Sequence, residues 1–141
     1  MPFIRVTTQE STFDKTTQNK IMKEITDAVL TAEGANPEDS GAQSLAWAHY
    51  TEKRKGDIYI GKQNIDNAPV LIRVTTPKGA LNHAANNPLA KSINAIVNDF
   101  IEAYENRLNH WLLMDETPET GWASSGVVFS IEDVKSAMNI S

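Results

Sequence analysis

The sequence predicts an α+β fold, with two fused β-α-β units forming a four-stranded mixed sheet and two helices on one face. Three observations carry this expectation. Ile4-Arg5-Val6-Thr7-Thr8 recurs as Ile72-Arg73-Val74-Thr75-Thr76, a spacing of 68 residues (4 to 72), and a repeat at fixed spacing marks a repeated structural unit. The same spacing sets Phe13 on Leu81, Ile21 on Leu89, Ile25 on Ile93 and Val29 on Val97 without a gap. Trp47 and Glu52 then match Trp111 and Glu116 with a connection four residues shorter. The chain of 141 residues fits a single domain, 1–141, built from a first unit over 1–67 and a second over 68–141.

In the first copy, "FIRVT" alternates as a strand does, with Phe3, Arg5 and Thr7 on one face and Ile4 and Val6 on the other. Ile21, Ile25, Ala28, Val29 and Ala32 follow helical spacing, and Gly34 is placed to stop that helix. "SLAWAHY" (44–50) reads as the returning strand. In the second copy, the strand at 69–76 precedes a helix carried by Leu89, Ile93, Ile96, Val97, Phe100 and Ile101. Asn87-Pro88 reads as an N-cap followed by proline at the first helical position, which leaves 77–87 as a long loop. A start near Asn82, which the repeat implies, puts Pro88 inside the helix; the late start is the favoured reading. "HWLLMD" (110–115) closes the second unit. With both helices on one face, Arg5, Thr7, Arg73 and Thr75 point to a bare face. An uncovered sheet face meets something, and oligomerisation is the simplest covering.

Composition excludes several classes. Forty per cent apolar residues support a real core, and the absence of cysteine rules out disulfides and thiolate metal sites. A net charge of −5, with acidic residues spread along the chain, argues against a nucleic-acid partner. No apolar run approaches the roughly 20 residues that span a bilayer, and no secretory signal pattern stands at the start. The expectation is a cytoplasmic protein without a membrane partner. His49, His83 and His110 have no metal-site spacing, and "PKGAL" lacks the glycine pattern of a phosphate loop. No metal and no cofactor is expected.

The segment from Thr51 through Gly61 resembles the stretch after the second strand in 4-oxalocrotonate tautomerase, where a Thr-Glu pair and a glycine precede an aromatic and a Gly-Ile-Gly-Gly turn. Glu116 through Gly126 repeats this spacing, with Trp122 at the aromatic position. Pro2 directly after the initiator methionine is the signature of the tautomerase superfamily. Its longer members fuse two strand–helix–strand units, and this chain is similar to them, including cis-3-chloroacrylic acid dehalogenase and malonate semialdehyde decarboxylase. The resemblance implies a homotrimer with its sheets around a central barrel, and a small carboxylate as substrate.

It also implies the chemistry. Removal of Met1 leaves Pro2 as a secondary amine. A general base works best with a pKa near the operating pH, and burial pushes an amine's pKa down. Family substrates are held by arginine, but "QESTFDK" has none and "TPKGALNH" offers only Lys78. Lysine supplies charge without arginine's bidentate fork. Trp122 takes the place of the aromatic that desolvates the proline. Arg73 and Trp111 complete the candidate substrate-binding set. Strand phase also sends Arg5 and Arg73 to the trimer centre, where they need carboxylates, carbonyls or an anion between them. For Trp47 and Trp111, core or interface packing is the favoured reading over ligand binding. Ser124 stands near the dehalogenase's water-activating glutamate, a mismatch. Asp39 is a counterpart for the decarboxylase's acid, although an exposed acidic loop is the favoured reading. The expected activity is a keto–enol tautomerase with Pro2 as base. Two alternatives are a hydratase, dehalogenase or decarboxylase with protonated Pro2 as acid, and an inactive trimeric scaffold.

Overall fold

The structure, a computed structural model, describes residues 1–141. The first unit runs β1 (Phe3–Gln9), α1 (Lys15–Ala32), a short α2 (Ser40–Ser44), β2 (Trp47–Lys53) and a small hairpin of β3 (Tyr59–Ile60) and β4 (Gln63–Asn64). The second runs β5 (Val70–Pro77), α3 (His83–Phe100), β6 (His110–Thr117), a hairpin of β7 (Ala123–Ser124) and β8 (Val127–Val128), and a C-terminal α4 (Ile131–Ala137). The sheet order is β2-β1-β5-β6. Each unit pairs its own strands in parallel, and the two units meet antiparallel through β1 and β5. The mixed four-stranded sheet is the one the repeat predicts.

The pleat sorts the strands as the alternation requires. Ile4, Val6, Ile72 and Val74 are fully buried and face Ile21, Ile25 and Val29 of α1 and Leu89, Ile93 and Val97 of α3 in one apolar core. Arg5 and Arg73 stand opposite each other on the other face. Helix α1 starts at Asp14, whose side chain accepts from Thr17 N–H, and Gly34 follows its end with φ +85°, the left-handed conformation glycine adopts without a Cβ penalty.

One expectation is corrected. Helix α3 begins at His83, six positions before Leu89, with Asn82 as N-cap and Pro88 inside the helix. Asn82 Oδ1 accepts from Ala85 N–H at 2.9 Å, so this cap satisfies the helix start and leaves no loop over 77–87. Pro88 lies one turn in, where it removes a single intrahelical hydrogen bond, and its neighbour Leu89 is buried against the sheet. The Asn82 cap and the further helical residues 83–87 outweigh that loss.

A second, smaller core lies at one end of the sheet. Met1, Leu30, Ala35, Ala42, Val134 and Met138 pack together, flanked by Trp122, Phe129, Ile131 and Ile140. Helix α4 thus folds back over the chain's beginning. Its start is fixed by a reciprocal capping box between Ser130 and Asp133. No helix is long and apolar enough to cross a membrane.

Candidate active site

Pro2 enters β1 from this second core. It is buried, and its carbonyl accepts from Trp47 N–H at 3.1 Å. The chain carries Met1, so the Pro2 nitrogen is an amide here and the free amine belongs to Met1. That ammonium is buried, 2.7 Å from Glu33 Oε2 and in contact with Met138 Sδ. Burial pushes its pKa below the ordinary α-amino value, against the opposing charge of Glu33. Burial likewise pushes the Glu33 carboxyl up, against the opposing charge of the amine. The Glu33 side chain is 1% exposed, and its Oε1 has no hydrogen-bond partner.

Lys78 and Trp122 come together. They line a cleft of about 460 Å³ with Pro77, Phe129 and Ile131. Trp122, Phe129 and Ile131 belong to both the cleft wall and the Met1 core, so they form the partition between cleft and N-terminus. Pairing of Phe3 with Thr75 runs β1 and β5 past each other, which brings the chain start beside Thr76, Pro77 and Lys78. Lys78 is exposed and is the only cation of the cleft. It shares the space with Glu119, Glu132 and Asp133.

Trp111 and Arg73 lie elsewhere. Trp111 is 63% exposed and lines a separate cleft of about 590 Å³, with Tyr59, Ile60, Leu71, Arg107 and His110. Because β5 repeats β1, this cleft sits at the second unit's strand start, where buried Val70 replaces Pro2. Arg73 points to the bare sheet face and binds Asp115 Oδ2 through Nε at 3.2 Å and Nη2 at 2.7 Å. Thr75 donates to Asp115 Oδ1 at 2.8 Å and accepts from Arg5 Nη2 at 3.1 Å. Asp115 is thus the carboxylate between the two arginines. Burial works to raise its pKa, but the hydrogen bonds from Arg73 and Thr75 and the charges of both arginines hold it below the usual carboxylate range. Trp47, 68% exposed, lies on the same face. Neither Trp47 nor Trp111 is core within this chain.

Asp39 caps α2 by accepting from Ala42 N–H and is also bound by Asn139 Nδ2. Ser124 is exposed on β7.

Glu33 and Thr76 are the polar groups that sequence reasoning missed. Thr8 Oγ1 is 2.6 Å from Tyr50 Oη. Its repeat mate Thr76 is fully buried with an unpartnered hydroxyl, because Met114 stands where Tyr50 would be. The repeat alignment itself carried that signal.

No family model and no curated protein matches the chain. Solved structures do. A fused 4-OT described as a wild-type asymmetric trimer superposes with a TM-score of 0.72 at 13% identity, covering 89% of this chain and 94% of that one. A member of the cis-3-chloroacrylic acid dehalogenase family gives 0.70 at 12% identity, covering 91% and 83%. A macrophage migration inhibitory factor-like protein from Entamoeba histolytica gives 0.66 at 12% identity, covering 91% and 98%. Identities this low speak to fold alone, and the fold is the one this chain shares with these solved structures.

Proposed function

We propose that the chain, once Met1 is removed, is a cofactor-independent tautomerase in which the Pro2 amine is general base on a small enol or 2-oxo carboxylate. The observation that carries this reading is the position of the chain start. It is buried beside the Glu33 carboxylate, behind Trp122, Phe129 and Ile131, which also wall the cleft that holds Lys78. Loss of Met1 vacates space there and turns the Pro2 amide into a secondary amine. Burial lowers the Met1 amine's pKa, and in this reading burial of the Pro2 amine likewise favours its neutral, basic form.

In the forward reaction the nitrogen lone pair takes the enol O–H proton, electrons close the carbonyl, and the ammonium returns a proton to carbon. Trp122 and Phe129 keep water from the amine, and Lys78 attracts the substrate carboxylate. Glu119, Glu132 and Asp133 offset that single positive charge, which favours a monocarboxylate over a dicarboxylate. In the same reading the chain forms a homotrimer, as the fused 4-OT neighbour does, with the bare sheet faces turned inward.

The test is ketonisation of phenylenolpyruvate and 2-hydroxymuconate. Turnover of phenylenolpyruvate, slower turnover of the dicarboxylate, and a loss of at least about 100-fold in Pro2→Ala are expected, the scale of a lost general base. Undiminished activity in Pro2→Ala removes the mechanism.

A further inference from the structure

Glu33 sits where a carboxylate is least welcome. It caps the C-terminus of α1, the end at which the helix dipole places negative charge. Its side chain is 1% exposed, so water does not compensate. A buried carboxylate in such a place needs a cation. In the structure that cation is the chain's own N-terminal amine, 2.7 Å from Oε2. Neither Lys23, Arg5, Arg73 nor any other side-chain cation pairs with Glu33. The Met1 side chain packs with Leu30, Ala35, Ala42, Val134 and Met138, all apolar.

We propose that in the chain beginning at Pro2, Glu33 is the positioning carboxylate that holds the Pro2 ammonium formed when this amine takes a substrate proton. The inference rests on the Pro2 reading above and assigns that site a second group. Consecutive backbone nitrogens are three bonds apart and at most about 3.7 Å from each other. With Glu33 Oε2 2.7 Å from the Met1 nitrogen, the Pro2 nitrogen therefore lies within roughly 6 Å of it, a range over which opposite charges couple strongly. The three torsions of the glutamate side chain span the remaining gap.

Oε1 adds a second argument, because it is buried and without a partner. The carboxylate has an acceptor left for the second N–H of a secondary ammonium. Removal of Met1 without transfer of the pairing to Pro2 would strand a buried charge.

The proton accounting closes without a co-reactant. The enol O–H bond breaks and an N–H bond forms on Pro2. The ammonium donates a hydrogen bond to Glu33, then breaks an N–H bond as the carbon–hydrogen bond of the keto product forms. Glu33 takes no proton from the substrate in these steps, so it acts through Pro2.

The experiment is titration of the Pro2 amine by NMR in 15N-proline-labelled protein, wild type against Glu33→Gln, with intact mass measured on both. A carboxylate raises the pKa of a neighbouring amine, so Glu33→Gln is expected to lower it by about one pH unit or more. The acid limb of the pH–rate profile moves down by the same amount. An unchanged amine pKa in folded Glu33→Gln with Met1 absent overturns this inference and leaves the Pro2 reading standing. A retained Met1 overturns both. Should Glu33→Gln fail to fold, the Glu33 carboxyl is titrated in wild-type protein by 13C NMR. Titration in step with Pro2 supports the pairing, and an independent step in the ordinary carboxylate range overturns it.

Discussion

Lys78 and Glu33 bracket the candidate site with opposite charges, one exposed in the cleft and one buried behind it. Their visibility in the sequence differs for a physical reason. Lys78 stands out because it is the lone cation in a loop that follows a strand. Glu33, in "TAEGAN", reads as the polar end of an amphipathic helix. Its burial depends on Val134 and Met138, about a hundred residues further on, folding over the chain start. No local pattern encodes that contact. Lys78 makes no ion pair in the structure, so its charge is available to a ligand. Replacing it with glutamine is expected to raise KM for phenylenolpyruvate about tenfold with kcat nearly unchanged, the signature of lost ground-state binding. Steady-state kinetics checks this, and a fall in kcat alone speaks against the assigned role.

Among the elements, α3 shows how one local start signal loses to another. Asn87-Pro88 has the chemistry of a helix start, and Asn82 has it too. Leu89, Ile93 and Val97 are buried whichever start is used, so the apolar stripe does not choose between them. The choice falls to Asn82, because an early start adds five helical residues, 83–87, at the loss of one hydrogen bond. Pro88→Ala restores that bond and is expected to stabilise the chain by about 1 kcal/mol or more, against the roughly 3 kcal/mol proline disadvantage in helix interiors. Thermal denaturation reads this as a higher Tm; a lower Tm means that the proline ring packs usefully. The strands and both long helices were legible from period and repeat. Helix α4 was not, because residues 131–137 have no mate in the first unit, although Ser130 and Asp133 carry a capping pattern. The β7–β8 turn was partly legible. Ser125 and Gly126 both take positive φ, 52° and 76°, as a two-residue hairpin turn requires.

At the scale of the whole molecule, the sheet face away from the helices is unfinished. Trp47, Leu71, Trp111 and Leu113 are exposed there, around the Arg5–Thr75–Asp115–Arg73 network. The homotrimer proposed above buries this face. The sign of the fold's pH dependence follows from Asp115. A carboxyl held below its usual range in the folded state contributes stability above the unfolded-state pKa, and this is lost as pH falls through the folded-state value. Thermal denaturation is therefore expected to show a Tm that falls in acid below the ordinary carboxylate range, and light scattering is expected to show a trimer at neutral pH. Asp115→Asn is expected to weaken it at neutral pH, since two facing arginines then lack their counter-ion. A wild-type monomer at neutral pH contradicts the trimer.

The central claim is that an uncharged Pro2 amine starts the reaction, and the pH–rate profile for phenylenolpyruvate ketonisation tests it most directly. The account predicts activity that falls as pH drops through the amine's pKa, with an inflection below the usual range for a secondary amine because of burial. Activity that instead falls as pH rises through that pKa would contradict it, because the working form would then be the protonated proline.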